Sequence, residues 1–263
     1  MMVGLEEKME PIIWMNMSGV YELEDFYRHN HFQWKEIDLR SVKNTNCYVD
    51  EETKQEIRDI IAPLTERIHF IDSGNYHYLS LLWMEKIEED FELIVLDEHP
   101  DMQMPAFGRI TSCGAWVREA VETLPHLKKI YHLGAEEALM EEVWKEWPEG
   151  RKKIHVVSQE NNTPEYWRGI WEETKWNRLP VYISIDKDVM GRSECPCDWS
   201  QGVMKFKELE HFLATLPEDA YILGLDVCGE ESADDFFDAK RNEKINLKLA
   251  GDIERVFKRK RSS

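Results

Sequence analysis

The chain has 263 residues, with 33 Lys and Arg against 52 Asp and Glu, a formal charge of −19 at pH 7, and it is 42% hydrophobic and 11% aromatic. So acidic a chain is a poor partner for nucleic acid or an anionic membrane surface, both of which require clustered cations, and no stretch approaches the roughly 18 consecutive apolar residues of a membrane span. Ten tryptophans and the hydrophobic fraction exclude a disordered acidic chain and predict a globular protein with a sizeable core, read as one domain over residues 1–263.

Taken in order, the opening MMVGLEEKMEPIIW places Glu6, Glu7 and Lys8 where a secretory signal would need an apolar core. Five scattered cysteines (Cys47, Cys113, Cys195, Cys197, Cys228) are an odd number in a chain large enough to fold without disulfides. A cytoplasmic location is therefore expected. The first 50 residues are irregular, with Trp14, His29, His31 and Trp34 set among charges, and are expected to form a first strand plus an excursion over the sheet. From there β-rich runs at 68–71, 93–96, 129–132, 153–157, 181–185 and 221–225 alternate with helical patterns at 78–89, 115–123, 135–146, 164–173, 205–215 and 236–258. Pro100, Pro125, Pro148, Pro180 and Pro217 fall in the gaps, where proline belongs. The alternation predicts an α/β layered fold with parallel strands joined by crossover helices. The continuous apolar runs predict strands covered on both faces. Tryptophans 144, 147, 167, 171 and 176 read as core or oligomer contacts, the ESADDFFD run after Glu230 as an acidic helix N-terminus, and the terminal KRKRSS as a helix end and frayed tail.

In a parallel α/β sheet, ligands bind at the carboxyl ends of the strands, and the polar residues that follow each run are therefore the candidates for function. After 68–71 comes Asp72-Ser73-Gly74-Asn75-Tyr76-His77, a glycine turn that delivers a histidine to the next helix. After 93–96 comes Asp97-Glu98-His99-Pro100-Asp101, after 181–185 Asp186-Lys187-Asp188, and after 221–225 Asp226-Val227-Cys228-Gly229-Glu230. Alternate residues of an extended segment point the same way, so Asp97, His99 and Asp101 can reach one cation or a close pair, and Asp186 and Asp188 repeat that geometry. Carboxylates crowded at one sheet edge repel one another, and a divalent cation is the usual compensation. Carboxylate and imidazole ligands suit Mn²⁺, with Fe²⁺, Co²⁺, Ni²⁺ and Zn²⁺ as alternatives. Two ions about 3.5 to 4 Å apart would hold and activate a water.

The order of these motifs resembles the ureohydrolase superfamily of arginases, agmatinases and formimidoylglutamases over about Ser73 to Glu230. The family's GGDHS-like turn is matched by Gly74-Asn75-Tyr76-His77-Tyr78, its DAHxD segment by Asp97-Glu98-His99-Pro100-Asp101, and its SxDxD segment by Ser184-Ile185-Asp186-Lys187-Asp188. The resemblance implies a three-layer α/β sandwich with a mainly parallel central sheet. It implies two divalent metal ions, Mn²⁺ being the family's usual choice, one held by His77, Asp97, Asp101 and Asp186, the other by His99, Asp97, Asp186 and Asp188. It also implies that a metal-bridging hydroxide attacks an amidine or guanidine carbon while Asp101 hydrogen-bonds it and relays a proton to the leaving amine. A small-molecule substrate and a homo-oligomer belong to the same expectation.

The departures from the family pattern concern the substrate. Val189-Met190-Gly191-Arg192 replaces the Asp-Pro that usually follows SxDxD. The glutamate with which guanidinium-binding members anchor substrate aligns on Gly229, with Glu230 one position late, so Glu230 is the candidate anchor. The shuttle histidine of several members aligns on Cys113 in Thr111-Ser112-Cys113-Gly114. Cys113 reads either as a small packed residue or as a thiol ionised beside the metal pair. Cys195-Pro196-Cys197 lacks a second cysteine pair for a structural zinc site and reads as a loop at the active-site mouth, where Trp199 either walls the pocket or packs. The reading that follows is a binuclear metal hydrolase cleaving a linear amidine or guanidino C–N bond. Its rivals are a metal- and ligand-binding regulatory protein without turnover and a metal-dependent amide deacetylase.

Overall fold

A computed structural model of the chain describes residues 10–104, 110–158, 161–173, 179–231 and 236–258. Eight strands form one sheet, β1 (Ile12–Asn16), β2 (Trp34–Asp38), β4 (Ile68–Phe70), β5 (Phe91–Leu96), β7 (Leu127–Leu133), β8 (Ile154–Val157), β9 (Val181–Asp186) and β10 (Ile222–Cys228), in the spatial order β2-β1-β4-β10-β9-β5-β7-β8. Every pairing in it is parallel. The two-residue strands β3 (Tyr48–Val49) and β6 (Thr111–Ser112) make a separate antiparallel ribbon.

Strand side chains alternate between two apolar layers, as the period of two requires. Ile12, Trp14, Ile68, Phe70, Ile94 and Leu96 enter one core, while Ile13, Met15, Ile71, Leu93 and Val95 enter the other. Helices α5 (Pro164–Glu173), α6 (Phe206–Thr215) and α7 (Phe236–Lys258) cover the first face, and α1 (Glu51–Ile61), α2 (Leu79–Met84), α3 (Trp116–Thr123) and α4 (Glu137–Glu146) cover the second. This is the three-layer sandwich with a mainly parallel sheet. Trp147, Trp167 and Trp171 are buried in these layers. No helix among the described residues is long and apolar enough to cross a membrane.

All six predicted runs are strands and all six predicted patterns are helices, with ends displaced by a few residues. The N-terminal segment supplies two sheet strands rather than one; β2 is an edge strand with no fully buried residue and therefore lacks an apolar run. Its Lys35, Glu36 and Asp38 put charge on the free edge, which discourages edge-to-edge association. Helix α1 follows that segment, where the sequence reading assigns nothing. Asp50 caps it by accepting from the Thr53 amide at 2.8 Å. Tryptophan 176, residues 232–235 of the ESADDFFD run and the tail from residue 259 lie outside the described residues.

One topological fact places the site. β4 and β5 are consecutive strands of the main sheet, yet β10 and β9 lie between them. The chain leaves β4 on one side and resumes on the other, opening a crevice beyond the carboxyl ends of these four strands, where ligands of open α/β sheets bind.

Candidate metal centre

The turn after β4 carries His77 into the crevice. Gly74 fits there because a side chain would press on Asp186 Oδ2, 2.9 Å from where its Cβ would stand. His77 is 1% exposed, and its Nε2 is held by the Ser184 hydroxyl at 2.8 Å, itself 3.0 Å from the Ser80 hydroxyl. The ring is thus oriented, and Nδ1 faces Asp97 Oδ2 at 3.1 Å, Asp101 Oδ2 at 3.1 Å and Asp186 Oδ2 at 3.6 Å. It makes no hydrogen bond of acceptable geometry with any of them.

The segment after β5 brings three more groups. The His99 amide donates to Asp97 Oδ1 at 2.6 Å, and its Nδ1 lies 2.8 Å from Asp188 Oδ2 and 3.5 Å from Asp97 Oδ1. Its Nε2 meets the Ser200 hydroxyl at 2.8 Å. Asp101 has a φ of +52°, a left-handed backbone that a non-glycine residue rarely adopts and that turns its carboxylate back toward the site. The Trp116 indole donates to Asp101 Oδ2 at 2.7 Å. From β9, the Asp188 amide donates to Asp186 Oδ1 at 3.0 Å, closing the turn that puts both carboxylates on one side.

The electrostatics follow from packing four carboxylates and two imidazoles out of water. Burial works against ionising Asp97, but the imidazoles of His77 and His99 close beside it hold it well below the usual carboxylate range. Burial and then the Asp97 charge push Asp101 up to about 7 and raise Asp186. Asp188 is raised by burial, Asp186 and Asp97. For His77 burial opposes the charge, yet Cys228, Asp101 and Asp97 drive it up; His99 is raised to about 11 against burial by Asp188 and Asp97. Negative charge in excess of what two imidazoles can balance is the setting in which cations bind. Two ligand sets, His77 with Asp97 and Asp101, and Asp97 with His99 and Asp188, each bring their donor atoms within 4.8 Å of one another.

Asp97, His99, Asp101, Asp186 and Asp188 line a cavity of about 150 Å³ whose other walls include Cys47, Tyr48, Gln103, Ser112, Cys113 and Trp199, and His77 packs against three of those carboxylates without lining it. All six residues expected to bind metal converge here, and two other expectations change. Glu230 is not among the lining residues. It is 1% exposed, and its carboxylate pairs with Lys187 and accepts from Asn246 Nδ2 at 2.9 Å. Lys187, wholly buried between two candidate ligands in sequence, needs that counter-charge, so Glu230 is not positioned to anchor substrate. The aligned position, Gly229, has a φ of +92°, and a Cβ there would collide with Asp186 Oδ1 and stand 2.7 Å from the Lys187 amide nitrogen. No side chain fits.

Cys113 does line the cavity, as expected of a residue at the shuttle position. Burial and the Asp101 charge push its thiol up, which favours the neutral packed residue over the ionised one. Cys195 and Cys197 are 0% and 2% exposed in the apolar core, Cys195 donating to Asn242 Oδ1 at 3.1 Å. Their loop reaches the mouth only through Trp199, whose indole donates to Asn75 Oδ1 at 2.9 Å, and Ser200. Sequence reasoning missed Lys187, Cys228, Ser200, Trp116 and Gln103. Lys187 and Cys228 carried a signal, since each stands at a strand end beside the other candidates; Ser200, Trp116 and Gln103 are brought in by folding alone.

A parallel sheet with a carboxylate and imidazole centre at the carboxyl ends of its middle strands defines a class, the layered α/β proteins with a candidate ion-binding centre at the strand ends. The comparisons specify it. The model of the arginase family matches residues 20–234. An uncharacterized protein of Thermotoga maritima is 29% identical over 235 residues, covering 89% of this chain and 86% of that protein. Among solved structures, formimidoylglutamase from Bacillus subtilis superposes with a TM-score of 0.68 at 12% identity, covering 94% of this chain and 87% of its own. Formiminoglutamase of Trypanosoma cruzi, solved with Mn²⁺, gives 0.68 at 10% identity and 96% of each chain, and agmatine ureohydrolase of Thermoplasma volcanium 0.66 at 15% identity, 95% and 92%. The chain belongs to the arginase family.

Proposed function

We propose that this protein is a metal-dependent hydrolase that cleaves a C–N bond in a small linear amidine or guanidino compound, with two divalent ions held by His77, Asp97, His99, Asp101, Asp186 and Asp188. The observation that carries the reading is the pair of imidazole nitrogens, buried His77 Nδ1 and half-buried His99 Nδ1, facing Asp97, Asp101, Asp186 and Asp188 at 2.8 to 3.6 Å. The donor set fits hard-to-borderline ions, and the buried His77 Nδ1 has no other partner to serve. Bound there, divalent ions would supply Lewis-acid chemistry, compensating the carboxylates and activating a water near neutral pH.

The chain's own residues do the rest. Ser184 and Ser200 fix the two rings through their far nitrogens, which aims each Nδ1 at the carboxylates. Asp101, oriented by the Trp116 indole, can take a proton from the attacking water and hand it to the departing amine nitrogen. Trp199 and the β3–β6 ribbon wall the cavity and limit its water. With Gly229 in place of an anchoring carboxylate, substrate recognition falls to the amide of Gln103 and the hydroxyls of Ser112 and Tyr48, which line the cavity.

The test is elemental mass spectrometry followed by a substrate panel. About two ions per chain, as a binuclear site requires, lost in the D97A/D186A double variant, with urea or ammonia released from at least one small amidine or guanidino compound, is the expected outcome. Acetate release from acetylated amines instead would replace the bond assignment. Full metal loading without turnover on either panel would leave the regulatory reading.

A further inference from the structure

Cys228 ends β10 beside the candidate centre, 1% exposed, and its thiol donates to Asp186 Oδ2 at 3.1 Å. Its Sγ, a His77 ring nitrogen and an Asp186 carboxylate oxygen form a third set of donor atoms, all buried and all within 4.8 Å of one another. An independent observation points the same way. His77 is fixed through Nε2 by Ser184, and its buried Nδ1, which makes no hydrogen bond, stands 3.6 Å from Asp186 Oδ2, the oxygen to which Cys228 donates. A buried imidazole nitrogen without a hydrogen bond, a carboxylate oxygen and a thiol thus lie within ligand reach of one point. The other four cysteines do not share this placement. Cys195 and Cys197 sit in the apolar core, and Cys47 and Cys113 line the outer wall; none of them enters a ligand set among the described residues.

We infer that Cys228 is a thiolate ligand of the ion on the His77 side, a seventh ligand residue that makes this site prefer a softer divalent ion, Zn²⁺, Co²⁺ or Fe²⁺, over Mn²⁺. The inference rests on the proposed metal centre. As the ion binds, the S–H bond breaks heterolytically, the sulfur keeps the electron pair and gives it to the ion, and the proton leaves to solvent. The hydrogen bond to Asp186 is given up in the same step, freeing Oδ2 for the ion. Nothing is oxidised or reduced. A carboxylate and imidazole set already binds Mn²⁺ more weakly than the later divalent ions, and a thiolate ligand widens that gap in favour of borderline and soft ions.

The test loads the metal-free full chain with Co²⁺ and records its near-ultraviolet absorption beside its metal content. The expected result is a thiolate-to-cobalt charge-transfer band at full loading, retained in C47S and C113S and absent from C228S. In competition, C228S should lower the preference for Zn²⁺ over Mn²⁺ by roughly 10-fold or more, the scale of loss when a site's tuning groups are removed. Full cobalt loading of the wild-type chain with no such band would overturn the inference and leave the metal centre standing, with Cys228 a hydrogen-bond donor to Asp186 only. A band that disappeared in C113S or C47S would also overturn it, by assigning another thiol. Failure of the wild-type chain to bind any ion would overturn the metal centre itself. Should C228S not fold, the wild-type band and the two control variants still decide.

Discussion

At the scale of single residues, two neighbours in the chain set the limits of the site. Gly229 occupies a left-handed conformation against Asp186 and Lys187, so G229A has both backbone strain and a collision to relieve. It is expected to destabilise the protein by about 1–3 kcal/mol, read from urea unfolding, and to lower metal content because the atom displaced is a candidate ligand. Lys187 and Glu230 form an ion pair sealed from water, with Asn246 bonding both and also Glu24, at 3.0 Å, 2.9 Å and 2.8 Å. Removing one partner strands a buried charge. K187M should therefore cost about 3–5 kcal/mol, while K187M/E230Q, which removes both charges and keeps an acceptor for Asn246, should recover much of it; a double variant no more stable than K187M would contradict the pairing. These residues were in view in the sequence, but their roles were not. Glu230 is one position from the family's anchor, and nothing in a linear string tells that Lys187 turns away from the cavity and claims it.

At the scale of elements, stability is expected to follow burial and capping rather than propensity. Helix α7 packs Leu249, Ala250 and Ile253, each 0% exposed, on the sheet. L249A should cost about 2–5 kcal/mol by lost burial and a residual cavity, measurable as a fall in the urea midpoint with little change in slope. Helix α1 is different. It buries only Lys54, Ile57 and Ile61 and leans on its cap, so D50A should cost about 1 kcal/mol, a loss that D50S would largely avoid. That contrast explains why α7 is legible in the sequence and α1 is not. A long apolar stripe announces itself, whereas a short helix with a charged surface looks like any polar stretch. The edge strand β2 is hidden for the same reason, since one exposed edge removes the apolar continuity that identifies β5 and β9.

At the scale of the molecule, the centre joins four strands that the chain visits far apart, so ions bound there should hold the sheet together. Ligands that bind only the folded state stabilise it by mass action, about 2.7 kcal/mol at a free concentration 100-fold above Kd. The melting temperature is therefore expected to rise with added Mn²⁺, Co²⁺ or Zn²⁺, to fall on chelation, and to lose this dependence in D97A/D186A. Identical melting with and without metal in the wild-type chain would argue that the centre binds none.

The sequence by itself determined the alternation of strands and helices, the ligand types and their spacing within each segment, because hydrophobic period and alternate-residue geometry are local properties. It also placed each segment at the end of a strand. Only the tertiary structure decided which strand ends meet: β9 and β10 insert between β4 and β5, and that long-range pairing sets His77 against Asp97 on one side and Asp186 and Cys228 on the other. The same packing turned Glu230 from the cavity toward Lys187 and closed position 229 to any side chain. Convergence and orientation are set by contacts between residues distant in the chain, and no local pattern encodes them.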